Sequence, residues 1–388
     1  MHRYQFPPQE TELRGGEDVC AAGGAQLGRV EDISIGEGRV DIKKRGDSAH
    51  LHPEALFAFD DIPTTVLADA LLRIGGYVAN YGLEGTGPYQ AARDLLMRHG
   101  PRVRGQPLRV EGETALAAAL RLALALDGGV LPIQGPPGSG KTYTGARMIT
   151  AMVDVGLRVG VTANSHKVIR NLLDEVCRAA DEIGVDLTCI QRVKDRTTDQ
   201  PRLRFTTNNA TCHSALRDNC RVAGGTAWFW AHPDAADAVD VLFVDEAAQM
   251  SLANVLAVSQ AAKTVVLLGD PQQLDQPTQG SHPDGVDTSA LDHVSAGHQT
   301  IPEDRGLFLE ETWRLHPAIC AFTSELFYEG RLHPRQGLEL QEIRSTSVLC
   351  GSGLRYQAVA HTGNQSSSPE EADRVRELVS EILSATML

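Results

Sequence analysis

The feature that most constrains this chain is the eight-residue segment GPPGSGKT at positions 135–142. It matches the phosphate-binding loop pattern G-x-x-x-x-G-K-[ST]. Glycines suit this loop because backbone N–H groups must converge on phosphate oxygens without a Cβ in the way. The lysine would neutralise the β- and γ-phosphates, and the following hydroxyl would bind Mg²⁺. The predicted phosphate-binding residues are Gly135, Pro136, Pro137, Gly138, Ser139, Gly140, Lys141 and Thr142.

The flanking residues predict the strand–loop–helix context that this pattern needs. Residues 130–134 are a short apolar run before the loop, and residues 142–155 have helical character after it. Three further apolar runs end in polar residues, at 157–161, 239–244 and 264–268. Parallel strands gather ligand groups at their carboxyl ends, so these loops should share one sheet edge with the phosphate loop. We therefore predict an α/β fold of the P-loop NTPase type, with a parallel sheet covered by helices on both faces.

The pair Asp245-Glu246 follows the second of these runs. An isolated Asp-Glu pair is usually a solvated turn, but its position after a β-branched run beyond a phosphate loop favours a nucleotide site. Asp245 is then predicted to hold Mg²⁺ together with Thr142, and Glu246 to polarise the attacking water as the catalytic base. The predicted cofactors are ATP and Mg²⁺.

The ordered set of motifs resembles the superfamily 1B helicases, in particular the branch of the nonsense-mediated-decay helicase. Within that branch, YQFPPQE and ANSHKVIRNLLDEV are most similar to the helicase part of bacterial proteins that fuse a RecB-like nuclease to such a helicase. Arg-x-His-Pro followed by Phe-Tyr-x-Gly is the most specific part of the resemblance. The matching segments are GPPGSGKT (135–142), VTANSHKVIRNLLDEV (161–176), VAGGTAWFWA (222–231), VDEAAQ (244–249), LLGDPQQL (267–274) and WRLHPAICAFTSELFYEGRL (313–332).

The resemblance implies roles for residues outside the phosphate loop. Gln273 would sense the γ-phosphate, and Arg314 would reach it from a second RecA-like domain, which makes both of them predicted catalytic residues. Ser165, His166 and Thr226 would contact the nucleic-acid strand, although relatives often have Asn where this chain has His166.

An adenine-reading glutamine would be expected near Glu113 or Thr114 by the same resemblance. No glutamine stands there. The base selectivity of the site is therefore left open.

Four segments are predicted along the chain. Alternating apolar residues over Leu27–Lys43, with a turn at 36–38, indicate a β-hairpin. We expect a small β-barrel accessory domain or open sheet over 1–60, a helical stalk over 61–106, and a RecA-like ATPase domain over 107–299. Residues 300–388 would start a second RecA-like domain. Such a domain needs well over a hundred residues, so we expect the second one to be incomplete and the chain to be a C-terminally truncated segment.

Composition adds a few constraints. The net charge of −14 argues against a general polyanion-binding surface, although a groove can be locally basic. There is no run of 18 apolar residues and no signal-peptide pattern, so a cytoplasmic protein without membrane association is expected. The seven cysteines never occur in C-x-x-C spacing. Cys212-His213 with Cys220 is a weak zinc pattern, and buried free thiols are the favoured interpretation.

Two further segments carry hypotheses about nucleic acid. The polar residues 181–221 read as a mobile surface loop, with arginines that are either a nucleic-acid strip or a solvated face. Trp228 and Trp230 could stack on bases, whereas the alternation favours a core position for Phe229.

The function predicted from the sequence is an ATP-dependent helicase or translocase segment that hydrolyses Mg-ATP and moves on single-stranded nucleic acid, DNA in preference to RNA. A RecB-like nuclease domain is the expected partner in the full-length protein. Two alternatives stay open: a non-translocating P-loop ATPase switch, and a truncated, ATP-binding fragment with weak catalysis.

Overall fold

The computed structural model describes residues 1–9, 11, 13–58, 63–274, 288–364 and 367–384. The chain divides into two compact units, residues 1–64 and residues 65–388. The predicted four-segment organisation stays a prediction. Its boundary between residues 60 and 61 lies outside the described residues.

The first unit is an antiparallel sheet with its own small core. The strand order is β1-β4-β3-β2-β5, and among the described residues no pairing closes β5 onto β1. The predicted hairpin is confirmed, since β3 and β4 pair with Val30 opposite Ile42. Apolar residues from β2, β3 and β4 form the core. The strands are β1 (His2–Gln5), β2 (Asp18–Ala21), β3 (Gln26–Ser34), β4 (Arg39–Lys43) and β5 (Leu56–Ala58).

The second unit is built on a sheet of eight parallel strands. Their order is β13-β6-β12-β11-β7-β10-β8-β9. The predicted strands at 130–134, 157–161, 239–244 and 264–268 are confirmed as β6, β7, β11 and β12, with ends that differ by at most two residues. The strands of this sheet are β6 (Gly129–Gln134), β7 (Val159–Thr162), β8 (Cys189–Arg192), β9 (Leu203–Thr206), β10 (Val222–Gly224), β11 (Val241–Val244), β12 (Thr264–Gly269) and β13 (Leu307–Phe308).

Helices cover both faces of this sheet, as predicted. Helices α3, α4 and α5 share a core with one face, and α1, α2 and α6–α9 share a core with the other. The alternation along β11 explains how one strand serves both layers, because Leu242 and Val244 enter one core while Val241 and Phe243 enter the other. The helices are α1 (Thr65–Tyr81), α2 (Gln90–Met97), α3 (Ala115–Ala125), α4 (Lys141–Asp154), α5 (His166–Ile183), α6 (Asn209–Arg217), α7 (Ala227–Trp230), α8 (Leu252–Ser259), α9 (Ala290–Ser295), α10 (Pro317–Phe327) and α11 (Pro369–Ser384).

The region after residue 300 is joined to the same sheet. Strand β13 pairs with β6, so residues 307 and 308 add a strand to the parallel sheet. A separate two-stranded ladder joins β14 (Glu311–Thr312) to β15 (His333–Pro334). Helix α11 buries no residue. The two helices predicted as a stalk, α1 and α2, belong to the core on one face of the sheet: α1 packs on α8, and α2 packs on β6.

Two sequence predictions on the 181–231 region are wrong. The segment predicted as a mobile loop contributes strands β8 and β9 and helix α6, because its apolar residues Cys189, Ile190 and Leu203 are buried in the sheet. Trp230 is not available for base stacking. Its side chain is fully buried, and the indole N–H donates to the backbone oxygen of Val161 at 3.0 Å.

The zinc pattern finds no support among the described residues. No group of three or more His, Cys, Asp or Glu side chains is arranged to hold a metal ion there. Cys212 and Cys220 are buried free thiols, which is the favoured interpretation of the sequence. His213 stacks on Phe229 at 4.6 Å between ring centroids, and Phe229 is in the core as predicted.

In the part of the chain that the structure describes, no helix has the length and apolar character needed to cross a membrane.

Candidate nucleotide-binding site

The predicted phosphate-binding residues lie in the loop between β6 and α4 and in the first turn of α4, which begins at Lys141. The Gly135 N–H donates to the Gly269 oxygen at 2.9 Å, and the Ser139 N–H donates to the Pro136 oxygen at 3.0 Å. The Lys141 ammonium donates to the Gly135 oxygen at 2.7 Å, across the mouth of the loop. Gly140 precedes α4 with φ +85°, a left-handed conformation that glycine adopts without strain.

The electrostatics of this loop favour an anion. Helix α4 has 14 residues and begins at the end of this loop. The N–H groups of its first turn and the positive end of its dipole are therefore available to an anion bound in the loop. The hydroxyl of Ser139 is buried and has no hydrogen-bond partner in the described structure. The loop therefore offers a cation, free N–H donors and an unused hydroxyl to a bound phosphate.

The segment around Arg314 lies directly on the phosphate loop. The Thr312 hydroxyl donates to the Pro137 oxygen at 3.0 Å, and the Trp313 N–H donates to the Gly138 oxygen at 2.9 Å. A Cβ added to Gly138 would lie 2.4 Å from the Arg314 Cβ, so this approach requires glycine. The structure thus brings Arg314 together with the loop, within the compact unit that also holds the sheet.

Asp245 and Glu246 follow β11, two strands away from β6 in the sheet. The Asp245 N–H donates to the Thr162 oxygen at 2.8 Å, and its carboxylate accepts from the Glu246 N–H at 3.0 Å. Asp245 is only 4% exposed, and this burial, with a smaller contribution from the Glu246 charge, raises its pKa to about 7. Glu246 itself adopts a left-handed backbone conformation at φ +52°, which is strained for a residue with a side chain.

These residues fit a divalent cation. The Thr142 hydroxyl and the Asp245 carboxylate are hard oxygen donors of the kind that magnesium prefers. A nearby cation would favour the ionised form of Asp245, which burial disfavours. Nucleotide phosphates and water would complete the shell, as is usual for magnesium in phosphate sites.

Gln273 lies in the loop that follows β12, the strand between β6 and β11. Its side-chain amide donates to the Asp270 carboxylate at 3.0 Å. Asp270 is 1% exposed and receives further hydrogen bonds from Gln134, the Gln272 N–H and the Tyr328 hydroxyl. Gln273 is therefore held at the same edge of the sheet as the phosphate loop and Asp245.

The three residues predicted to contact nucleic acid lie after β7 and β10, which are neighbours in the sheet. Ser165 caps α5 by accepting a hydrogen bond from the Val168 N–H at 3.2 Å. His166 begins α5, its Nδ1 is buried without a partner in the described structure, and burial lowers its pKa. Thr226 precedes α7 and makes no side-chain capping bond. The structure thus places all three beyond the carboxyl ends of two adjacent strands.

Comparisons with known proteins find similarity over part of the chain. Residues 115–295 match the AAA domain family. Over 154 residues the chain is 32% identical to the "5'-3' DNA helicase ZGRF1" of Mus musculus, which covers 38% of this chain and 8% of the mouse protein. Over 214 residues it is 26% identical to the "DNA replication ATP-dependent helicase/nuclease DNA2" of Gallus gallus, with 52% and 20% coverage. The chain is thus similar to helicases over part of its length.

The matched part is a small fraction of each helicase relative, since this chain spans a fifth or less of their lengths. Among solved structures, an Arterivirus nonstructural protein 10 helicase with DNA has a TM-score of 0.35 at 17% identity, over 56% of this chain and 44% of that chain.

The position of the missing adenine-reading glutamine is filled by a charged cluster. Thr114 caps α3, and Glu113 pairs with Arg121 at 2.7 Å. The same guanidinium donates to the side-chain oxygen of Gln106 at 3.2 Å. A glutamine thus lies near the expected place, eight residues before Thr114, but it is engaged by Arg121.

Sequence reasoning missed three residues that shape this helicase-like site. Thr312 ties the Arg314 segment to the phosphate loop, and Asp270 and Tyr328 form a buried pair behind Gln273. Asp270 and Tyr328 lie inside the motifs LLGDPQQL and WRLHPAICAFTSELFYEGRL, and Thr312 immediately precedes the second. Their proximity in space depends on the strand order, which the sequence does not state.

Proposed function

We propose that this chain is the motor segment of a helicase or translocase that hydrolyses Mg-ATP and moves on single-stranded nucleic acid. One observation carries the proposal. Three adjacent parallel strands are followed by the phosphate loop, the Gln273 loop and the Asp245-Glu246 pair. The Arg314 segment is hydrogen-bonded to the phosphate loop. DNA is the preferred strand, in line with the mouse and chicken relatives, which are named a DNA helicase and a DNA replication helicase/nuclease.

Each residue has a distinct role in this proposal. Lys141 and the loop amides bind the phosphates, and Thr142 and Asp245 would hold Mg²⁺, which would neutralise phosphate charge. Glu246 accepts the proton of the attacking water. Gln273 and Arg314 approach the γ-phosphate from the neighbouring loops.

The nucleic-acid side of the proposal rests on Ser165, His166 and Thr226. A neutral imidazole and two hydroxyls can donate hydrogen bonds to phosphate oxygens without reading bases. Coupling of nucleotide closure to movement of this edge would step the chain along the strand. A RecB-like nuclease domain in the full-length protein is part of the same proposal, and a helicase/nuclease among the relatives is in line with it.

The decisive experiment measures phosphate release by the purified chain with and without a poly-dT strand. We expect strand-stimulated hydrolysis in the wild type and its loss in Glu246→Gln, which keeps the shape of the side chain but removes the base. Glu84→Gln, an exposed position remote in sequence from the motifs, is the matched control. Poly-rU in place of poly-dT tests the preference for DNA.

The same assay separates the alternatives. Nucleotide binding without stimulated hydrolysis would favour the switch or the weak fragment. If Glu246→Gln hydrolyses ATP at the wild-type rate, then Glu246 is not the base.

A further inference from the structure

The loop that carries Gln273 contains an unusual buried carboxylate. Asp270 is 1% exposed, and one of its oxygens accepts two hydrogen bonds, from the Gln273 amide at 3.0 Å and from the Tyr328 hydroxyl at 2.8 Å. The other oxygen accepts from the Gln272 N–H at 3.2 Å and from the Gln134 amide at 3.3 Å. No salt bridge to this carboxylate occurs among the described residues, so these four donors must stabilise it.

Tyr328 is as buried as its partner. It is 3% exposed and packs near Phe308, with 6.0 Å between the ring centroids. Burial and the Asp270 charge raise the pKa of the phenol, so the hydroxyl stays protonated and remains a hydrogen-bond donor at all physiological pH values. Tyr328 caps the carboxyl end of α10.

Helix α10 is consequently attached to the nucleotide site at both ends. Its start follows Arg314 by three residues, in the segment bonded to Pro137 and Gly138 of the phosphate loop. Its end delivers the Tyr328 hydroxyl to the carboxylate that holds Gln273. The residues after Tyr328 are fixed as well, since Arg331 donates to the Thr300 hydroxyl at 3.0 Å.

We propose that Tyr328 is a positioning residue that, through Asp270, holds Gln273 for the γ-phosphate and transmits γ-phosphate binding to helix α10. The shared carboxylate oxygen is the physical link, because a shift of the Gln273 amide changes the hydrogen bond that the tyrosine makes to the same atom. This inference rests on the proposed function, which gives Gln273 its contact with the γ-phosphate.

The test uses the 388-residue chain and compares two affinities, for Mg²⁺ with a non-hydrolysable ATP analogue and for Mg²⁺ with ADP. Tyr328→Phe removes only the hydroxyl. We expect it to lower the preference for the ATP analogue over ADP by about fivefold, the size of a lost hydrogen bond of about 1 kcal/mol, with ADP affinity unchanged. Tyr356→Phe, at a tyrosine that is 94% exposed, is the matched control and should leave both affinities unchanged.

A double-mutant cycle separates positioning from a purely structural effect. In a Gln273→Ala background, Tyr328→Phe should no longer change the preference between the two nucleotides. Hydrogen exchange gives a second readout, since the ATP analogue should protect amides of α10 more than ADP does in the wild type and equally in Tyr328→Phe.

Three results would overturn the inference. The first is a Tyr328→Phe variant that keeps the wild-type nucleotide preference and α10 protection. The second is an equal loss of preference with and without the Gln273 side chain. The third is a wild-type chain that binds neither nucleotide, which would overturn the proposed function as well and so is distinct from the first two.

Discussion

At the scale of single residues, the site is governed by one buried carboxylate. The pKa of Asp245 is raised to about 7, mainly by burial. In the unfolded chain this side chain has a pKa near its usual value of 3.8. The folded state therefore binds more protons than the unfolded state between about pH 4 and pH 7, and stability falls as the pH rises through that window.

This sign leads to a test with Asp245→Asn in the presence of EDTA. Near pH 4 the wild-type side chain is neutral in the folded state and about half neutral in the unfolded chain, so the two proteins should have similar melting temperatures. At pH 8 the variant should be more stable, by at most about 4 kcal/mol for a shift of about three pKa units. Thermal melts from pH 4 to pH 8 measure the difference in melting temperature, with Asp154→Asn on exposed surface as the control. A difference in melting temperature that does not depend on pH would contradict the raised pKa of Asp245.

Lys141 carries the second prediction at this scale. Its ammonium lies across the phosphate loop, 2.7 Å from the Gly135 oxygen. Lys141→Ala removes a charge-assisted contact to phosphate of about 1.5–3 kcal/mol, so Mg-ATP affinity should drop by about ten- to a hundredfold. Titration calorimetry measures the change, and Lys263→Ala, an exposed lysine, is the control. Undiminished affinity in Lys141→Ala would exclude the loop as the phosphate site.

At the scale of elements, the contact between the phosphate loop and residues 312–314 requires a glycine. Gly138→Ala would put a Cβ 2.4 Å from the Arg314 Cβ and 2.9 Å from the Thr312 hydroxyl. Gly156 offers a matched control because it also has positive φ, +89°, but an added Cβ meets nothing within 4 Å. Both alanine variants should lose about 1 kcal/mol of stability from backbone strain, and only Gly138→Ala should also weaken Mg-ATP binding, by tenfold or more. Calorimetry and thermal melts on both variants check this. Equal nucleotide affinities would show that the segment does not need to approach the loop.

The elements that could be predicted from sequence are those with local signals. Strand β6, helix α4 and the carboxylates after β11 follow from an apolar run, a glycine pattern and a change to polar residues. The prediction of a loop at 181–221 was wrong because strands β8 and β9 are only four residues each and lie among charged residues. The prediction that Trp230 stacks on bases was wrong because its hydrogen-bond partner, the Val161 oxygen, is distant in sequence. The Asp270–Tyr328 pair could not be predicted for the same reason, since 58 residues separate its members.

At the scale of the whole molecule, every residue predicted to bind nucleotide lies in one compact unit. Residues 65–388 contain the parallel sheet, both helical layers and the segment around Arg314. Residues 1–64 have a separate core of five fully or nearly buried residues, Val19, Leu27, Val30, Val40 and Ile42. A core of that size gives marginal stability by itself, whereas the larger unit buries enough apolar surface to fold independently.

Removal of residues 1–64 is therefore expected to leave the nucleotide site intact. A protein of residues 65–388 should fold cooperatively and bind Mg-ATP within about threefold of the full chain, because none of the predicted phosphate- or metal-binding residues is lost. Circular dichroism and calorimetry of the two proteins provide the measurement, and Lys141→Ala in the shorter protein shows whether the same loop binds. Loss of nucleotide binding in a folded 65–388 protein would mean that the first unit contributes to the site, and the assignment of ATP binding to the second unit alone would be wrong.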